Sequence, residues 1–466
     1  MPRDHYDAII IGAGQAAVPL GPELANAGRR TLTIERKYAG GTCINVGCTP
    51  TKTMVASGRI AYLARRAAEY GINIGSVSVD MRKVRLRMRK MVLSFRGSTE
   101  RRITRAAGSE LLYGEARFTG PKAVEVRPKD GGPARQLTAD LIFINTGARP
   151  ALPPLPGVER VPVLNSTTVM ELEEVPEHLV VLGGGYIGLE FAQIFRRLGS
   201  EVTVVQRSGQ VLGREDDDVA EAVTAILRED GIEVLLNTAA QRVSQDEDGT
   251  INLAVRTPAG EQVISGSHLL GAVGRRPNTE DLNLAAAGVQ VDKGGFIIAN
   301  DRLETNMPGI YALGDVKGGP AFTHISYDDF RIIRDNLLLG KNTSTRRLAP
   351  YVVFIDPQLG RVGITEAEAR ERGLKYRVAK MPMDYVSRAW EMGETRGLMK
   401  AIVDADSGEI LGAAVLGVEG GELMAVLEVA MLGKLPYTVL REAIFSHPTL
   451  SEGFNTLFTQ FQDSRA

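Results

Sequence analysis

Tyr6-Asp7-Ala8-Ile9-Ile10-Ile11-Gly12-Ala13-Gly14-Gln15-Ala16-Ala17 is the stretch on which the fold of this chain turns. Its first half is a continuous apolar run rich in β-branched residues, the pattern of a strand buried on both faces of a parallel sheet. Its second half is G-x-G-x-x-A, a turn that lets the backbone approach a ligand closely before a helix begins. Pro19, Gly21 and Pro22 are expected to kink that helix, and Ala27-Gly28 to end it. Thr31-Leu32-Thr33-Ile34-Glu35 reads as the next strand. It closes on an acid about 20 residues past the turn, where a carboxylate meets a ribose hydroxyl. A glycine turn alone would also serve plain helix–strand packing. Strand, turn, helix, strand and acid in this order read as a dinucleotide-binding βαβ unit.

Both cysteines of the chain follow at once, in Gly40-Gly41-Thr42-Cys43-Ile44-Asn45-Val46-Gly47-Cys48-Thr49-Pro50-Thr51-Lys52. Paired half-cystines need Cα atoms about 4.4–6.8 Å apart. Five residues of regular helix would separate them by about 7.5 Å of rise alone. Cys43 is therefore expected in a distorted lead-in and Cys48 near a helix start, with Pro50 suited to a first turn. A thiol at a helix N-terminus is the better thiolate. The stretch reads as a reactive dithiol or disulfide. A metal site is a poor reading, because two thiols lack the usual four-ligand set.

Outward from these motifs, Met54–Tyr70 reads as a helix and Arg82–Arg105 as a markedly basic one, either a solvated face or a dock for an acidic partner or substrate. Leu111–Val126 and Ala139–Asn145 read as strands. Thr146-Gly147-Ala148-Arg149-Pro150 turns the chain, and Pro153, Pro154 and Pro156 mark a boundary. Leu179–Leu182 then runs into a second fingerprint, Gly183-Gly184-Gly185-Tyr186-Ile187-Gly188, with a helix to Leu198 and a strand Glu201–Val205. This strand ends in Gln206-Arg207, not in an acid. A basic residue here accommodates the 2′-phosphate of NADP, so Arg207, with Arg214 nearby, points to NADPH, NADH being the alternative. Ala272-Val273-Gly274-Arg275-Arg276-Pro277-Asn278 echoes the Thr146–Pro150 turn, and Ile310–Ala312 leads into Gly314-Asp315. Asp315 is either a ligand for a cofactor hydroxyl or a plain turn residue. From Ala349 the style changes to short strands (Tyr351–Ile355, Met399–Val403, Ile410–Leu416) and an apolar helix Glu422–Leu432. The module closes with Ser446-His447-Pro448-Thr449-Leu450-Ser451-Glu452.

Whole-chain numbers agree with a multidomain globular protein. The 466 residues carry a net charge of −1, so nothing global points to nucleic acid or to a membrane. No run approaches the about 20 apolar residues of a membrane span. Two cysteines is the usage of a reducing compartment, and a cytoplasmic location is expected. Ala8–Leu20 has the small apolar character of a signal-peptide core, but its glycines follow the dinucleotide pattern.

Together these motifs make the chain resemble, over essentially its full length, the class I flavoprotein disulfide reductases: lipoamide dehydrogenase, glutathione reductase and mercuric reductase. The resemblance rests on Gly12-x-Gly14-x-x-Ala17 with Glu35, the Cys43/Cys48 stretch, Gly183–Glu190, Gly314-Asp315 and His447-Pro-Thr-x-x-Glu452. The wording around Cys48–Thr53 and Phe445–His447 is most similar to the mercuric-reductase-like branch that includes the reactive-chlorine-resistance copper reductase. It implies an α/β fold of two Rossmann-like three-layer domains plus a C-terminal α+β dimerisation domain. The FAD domain would comprise 1–150 and 275–345, the NAD(P)H domain 151–274 and the interface domain 346–466. It implies FAD and NADPH as cofactors and a homodimer whose active site is shared across subunits. Cofactor contacts would come from Gly12, Gly14, Ala17, Glu35, Gly41, Thr42, Ala116, Thr146, Gly147, Gly314 and Asp315. Gly183, Gly185, Ile187, Gly188, Gln206, Arg207 and Gly274 would add theirs.

By the same resemblance, Cys48 would face the flavin and Cys43 would exchange with substrate. Lys52 would lie near the flavin edge, paired with Glu190. Tyr186 would gate the nicotinamide pocket, and His447, oriented by Glu452, would be the acid/base. The acceptor would be a small disulfide or a thiophilic metal ion, Hg2+ or Cu2+. The C-terminal cysteine pair and N-terminal metal-binding domain of typical mercuric reductases are not in this sequence, nor is the redox-active tail of the large thioredoxin reductases. Gln206-Arg207 speaks against the alternative of an NAD-linked dihydrolipoyl dehydrogenase subunit of a multienzyme complex. The hydride-transfer motifs speak against a non-enzymatic thiol redox sensor.

Overall fold

The computed structural model describes residues 4–462. The chain divides into two compact units. One takes residues up to Thr53, Lys83–Ala151 and Gly274–Arg347; the other takes Met54–Arg82, Leu152–Val273 and the chain from Leu348 onward.

In the first unit the opening run forms strand β1 (Asp4–Ile11), followed by α1 (Ala17–Asn26) and β2 (Thr31–Glu35). β1 pairs in parallel with β2. Alternate residues of β1 enter different cores. Ile9 and Ile11 pack with Phe118 and Ile142, whereas Ala8 and Ile10 pack with Leu20 and Leu24 of α1 and with Phe143. Both faces are thus buried, at about 1.5–3 kcal/mol for each large side chain, as the unbroken apolar run requires. α1 is assigned as one helix through Pro22 and ends at Ala27-Gly28. Next come α2 (Gly41–Val46) and α3 (Cys48–Arg65), the latter passing from the first unit into the second.

The basic segment is α4 (Met81–Ile103), with Leu86, Leu93 and Phe95 exposed among its cations. The stretch expected as a single strand from Leu111 is a hairpin, β3 (Ser109–Gly120) and β4 (Ala123–Pro128). Gly120-Pro121 and Lys122, which has φ of 55°, turn it back. β5 (Arg135–Ile144) pairs in parallel with β1, and β6 (Ala148–Pro150) follows.

The second unit builds its own parallel sheet. It contains β7 (His178–Leu182), α5 (Tyr186–Leu198), β8 (Glu201–Val205), α6 (Asp217–Glu229) and β9 (Glu233–Leu235). The antiparallel ribbon β10 (Ala239–Gln245), β11 (Ile251–Thr257) and β12 (Gly260–Gly266) precedes β13 (His268–Gly271). The order is β13-β7-β8-β9, with β10-β11-β12 as a separate sheet.

Returning to the first unit, β14 (Arg275–Pro277) pairs antiparallel with β6, so the two look-alike turns of the sequence are partners in one ribbon. β15 (Ile310–Ala312) adds in parallel to β5 and leads to the helix Thr323–Leu338.

The C-terminal part of the second unit is an antiparallel sheet. It runs through β16 (Tyr351–Val353), β17 (Gln358–Gly363), β18 (Tyr376–Pro382), β19 (Leu398–Asp404), β20 (Ile410–Gly417) and β21 (Phe461–Gln462). The order is β16-β17-β20-β19-β18-β21, with the helix Gly420–Leu432 against β17 and β20. β17 and β18 were not legible as strands, because charge interrupts them. Arg361 in β17 is only 2% exposed and is matched by Glu215 and Asp216, each at 3.3 Å. Lys400 in β19, 3% exposed as a side chain, faces Glu366 at 2.7 Å, Asp218 at 3.1 Å and Asp216 at 3.3 Å.

Candidate functional site

The first glycine turn is closed on one side by Asn145. Gly12 has φ of +96°, and a Cβ there would lie 2.5 Å from the Asn145 carbonyl oxygen. Only glycine allows this approach. Gly14 and Ala17 complete the turn, with Ala17 opening α1. Glu35 ends β2 with its carboxylate accepting from the N–H groups of Ala13 at 2.9 Å, Lys37 at 2.8 Å and Tyr38 at 3.2 Å. These amides fix its direction and leave lone pairs for a ribose hydroxyl. A cavity of 370 Å³ opens here, lined by Gly12, Glu35, Ala116, Arg117, Thr146 and Asp281 among others. Thr146 donates from Oγ1 to Asn278 O at 2.9 Å, and Asn278 returns a bond to Thr146 O at 2.8 Å. Gly147 follows with φ of 68°. A cavity with Gly12 in its wall and the oriented Glu35 carboxylate in its lining fits a nucleotide cofactor such as FAD. Gly314 and Asp315 begin a short helical turn, where Arg275 stands 3.6 Å from the Asp315 carboxylate. Burial raises the Asp315 pKa against the pull of Arg275 and Lys317.

The dithiol stretch differs from expectation in one respect. Cys43 does not lie in a distorted lead-in. It lies inside α2, which begins at Gly41 and Thr42, and the distortion falls between the cysteines, at Gly47 with φ −133° and ψ −118°. This break brings the two sulfurs together despite the helix on either side. Cys48 is the first residue of α3, and Lys52 sits one turn along. Both side chains are thiols here, and Cys43 is half-buried while Cys48 is exposed. The hydrogen bond with Cys48 and then burial push the Cys43 thiol well above its ordinary value, with Thr323 and Lys52 pulling the other way. Thr323 Oγ1 lies 3.3 Å from Cys48 Sγ. No motif announced Thr323, because it reaches the cysteines only through tertiary structure.

In the second unit, Gly183, Gly185, Ile187 and Gly188 form the turn from β7 into α5, with half-buried Tyr186 as the first helical residue. Gln206 is spent on structure: Oε1 accepts from Gly184 N–H at 2.8 Å, and Nε2 donates to Ser208 Oγ and Gln210 O. Arg207 beside it is exposed. Glu190 is buried on α5 and accepts from Phe354 N–H at 2.9 Å. Gly274, by contrast, belongs to the first unit, where its carbonyl accepts from Ala151 N–H at 2.9 Å. His447 is 72% exposed and its Nδ1 lies 3.0 and 3.2 Å from the two Glu452 oxygens. The carboxylate fixes the ring and leaves Nε2 as the outward nitrogen.

Two glycine turns on parallel sheets, a dithiol at a helix start and a carboxylate-oriented histidine define a pyridine-nucleotide-linked flavoprotein that works through a redox-active disulfide. Residues 6–329 match the family model described as pyridine nucleotide-disulphide oxidoreductase, and residues 349–458 match that family's dimerisation domain. The chain belongs to this family, the class I flavoprotein disulfide oxidoreductases, which depend on FAD and NAD(P)H. It is 39% identical over 461 residues to the probable pyridine nucleotide-disulfide oxidoreductase RclA of Escherichia coli, covering 98% of this chain and 99% of that one. It is 35% identical over 453 residues to a mercuric reductase of Lysinibacillus sphaericus, covering 97% of this chain and 82% of the relative. The Cu(II) complex of the HOCl-induced flavoprotein disulfide reductase RclA from Escherichia coli superposes with a TM-score of 0.88 at 37% identity, over 98% of this chain and 99% of that one. Among the described residues no helix is long and apolar enough to cross a membrane, and no group of three or more His, Cys, Asp or Glu is placed to hold a metal ion.

Proposed function

We propose that this protein is an NADPH-dependent reductase whose Cys43 and Cys48 alternate between disulfide and dithiol, delivering two electrons to a small disulfide or to a thiophilic metal ion, both to one Hg2+ or one to each of two Cu2+. The observation that carries this reading is the meeting of the two sulfurs at the Gly47 break, beside Thr323 and at the start of α3. FAD, when bound, supplies two-electron transfer between nicotinamide and sulfur. Gly12, Gly14, Ala17, Glu35, Gly41, Thr42, Ala116, Thr146, Gly147, Gly314 and Asp315 would hold it, in a domain of residues 1–150 and 275–345. Gly183, Gly185, Ile187, Gly188 and Arg207 would hold NADPH, in the Leu152–Val273 segment of the second unit. The exposed Arg207 and the absence of an acid after β8 support NADPH over NADH.

Toward a disulfide acceptor the chemistry is thiol exchange. The Cys43 thiolate attacks one sulfur, forming a mixed disulfide and releasing the first thiolate. Cys48 then attacks Cys43, closing the internal disulfide and releasing the second. His447 Nε2 moves the protons, held by Glu452. Lys52 lies one turn along α3 from Cys48, Tyr186 covers the nicotinamide site, and His447 serves the partner subunit of a homodimer built on residues 346–466. Similarity to mercuric reductase and to a reductase with a Cu(II) complex supports the metal-ion alternative. The test is an anaerobic titration with NADPH and, separately, NADH, followed by oxidised lipoamide, glutathione disulfide, Hg2+ and Cu2+ one at a time. NADPH is expected to generate two titratable thiols that one acceptor consumes. Flavin bleaching with an unchanged thiol count would end the reading.

A further inference from the structure

Between β15 and the Gly314-Asp315 turn lies a single peptide unit, Leu313–Gly314, that is held at both ends by side chains. Its carbonyl accepts from Asn145 Nδ2 at 2.9 Å, and its N–H donates to Asp329 Oδ2 at 2.8 Å. Asn145 is 6% exposed and Asp329 fully buried. Asp329 is itself fixed, by Lys317 at 3.3 Å and Arg347 at 2.5 Å. The other end of the Asn145 carboxamide faces the first glycine turn. Its Oδ1 accepts from Ala17 N–H at 3.4 Å and lies 2.7 Å from where a Cβ on Gly14 would stand. One side chain therefore touches both turns assigned above to FAD.

A peptide before a glycine rotates easily, and Gly314 has φ of +71°, where no side chain resists that rotation. A change of φ at Gly314 that is not compensated at Leu313 would redirect the following Asp315. Asparagine is suited to stop it, since one amide donates and accepts in opposite directions. We propose that Asn145 is a positioning residue for FAD. Opposite Asp329, it locks the Leu313–Gly314 peptide, and so the direction of Asp315, in register with the Gly12–Ala17 turn. This rests on the reading of those two turns as the FAD site.

The experiment is FAD release from the full-length holoprotein, followed by flavin fluorescence after dilution, with the thermal midpoint of each apoprotein as control. Asn145→Ala removes both contacts. Asn145→Ser keeps a small polar side chain that is too short to span both turns, so it serves if the alanine variant does not fold. Misdirection of the Gly314-Asp315 turn predicts at least about tenfold faster release, measured at a temperature where every apoprotein stays folded, whatever midpoint shift the lost hydrogen bond brings. Glu35→Ala, which strikes the site itself, runs in parallel. Release within twofold of wild type in both Asn145 variants, with weakened binding in Glu35→Ala, overturns the lock alone. Unchanged binding in all three overturns the site reading as well.

Discussion

Replacing Lys400 by methionine leaves three carboxylates around an uncharged stem. The ammonium lies within 3.3 Å of Asp216, Asp218 and Glu366, and is 3% exposed. Removing one partner of a buried ion pair costs about 3–5 kcal/mol. Here the low end applies, because Asp218 and Glu366 are 30% and 26% exposed and because Lys380 still reaches Asp218 at 2.7 Å and Arg361 still reaches Asp216 at 3.3 Å. A loss of about 3 kcal/mol converts to about 6 °C in the thermal midpoint of a large domain. The pH dependence has a definite sign. Burial opposes ionisation of Asp216, but Lys400 and Arg361 outweigh it and hold its carboxyl below the ordinary value; Lys380 and Lys400 do the same for Asp218. Stability from such groups is present above the unfolded value of 3.8 and is lost as pH falls through the lower folded value. The deficit of Lys400→Met is therefore full at neutral pH and shrinks as pH falls through the carboxylate range. Scanning calorimetry of the holoprotein at both ends of that range reads it. A midpoint shift under about 1 °C at neutral pH, or a deficit that does not change with pH, would refute the reasoning.

Three further outcomes follow from the site. Arg207→Glu is expected to move the ratio of kcat/KM for NADPH over NADH by at least about tenfold toward NADH, since a charge-assisted phosphate contact is lost and a repulsion gained; steady-state kinetics with both coenzymes checks it. Cys48→Ser removes the main influence that raises the Cys43 thiol. The pH profile of Cys43 alkylation should then move to lower pH, read by mass spectrometry, and an unmoved profile would contradict the contact. His447→Ala should lower disulfide turnover by about 10²–10⁴-fold while the NADPH half-reaction stays intact, and Glu452→Gln should fall between that variant and wild type in stopped-flow measurements.

The βαβ skeleton was legible because its signals are local. Ile9–Ile11, the Gly12 turn, Glu35 and the Gln206-Arg207 ending each lie within a few residues of the element they define. The His447–Glu452 contact, expected from the family resemblance, is present in the structure. What escaped was decided at long range. Thr323 meets Cys48 across 275 positions and Asn145 meets Leu313 across 168. Neither residue belongs to a motif that marks it from sequence. β17 was missed because Arg361 breaks the apolar pattern, and only the carboxylates of a distant loop make its burial tolerable. The hairpin of β3 and β4 was missed because a lone Gly-Pro pair inside an apolar run reads as an interruption rather than a reversal.

The ribbon of β6 and β14 has a further consequence. Residues 151 and 274, where the chain leaves and re-enters the first unit, are joined by a hydrogen bond of 2.9 Å. To the sheet that contains β1 and β5, everything between them is one closed loop with a fixed mouth. Closing a loop costs free energy that grows only with the logarithm of its length. Changing the length of the intervening segment would thus alter the cost of closing that loop only slightly, as long as the mouth stays paired. The ribbon is a cloning boundary written in hydrogen bonds, and a chimera that swaps residues 152–273 between relatives of different coenzyme preference can be cut there if Glu215, Asp216 and Asp218 are kept as partners of Arg361 and Lys400.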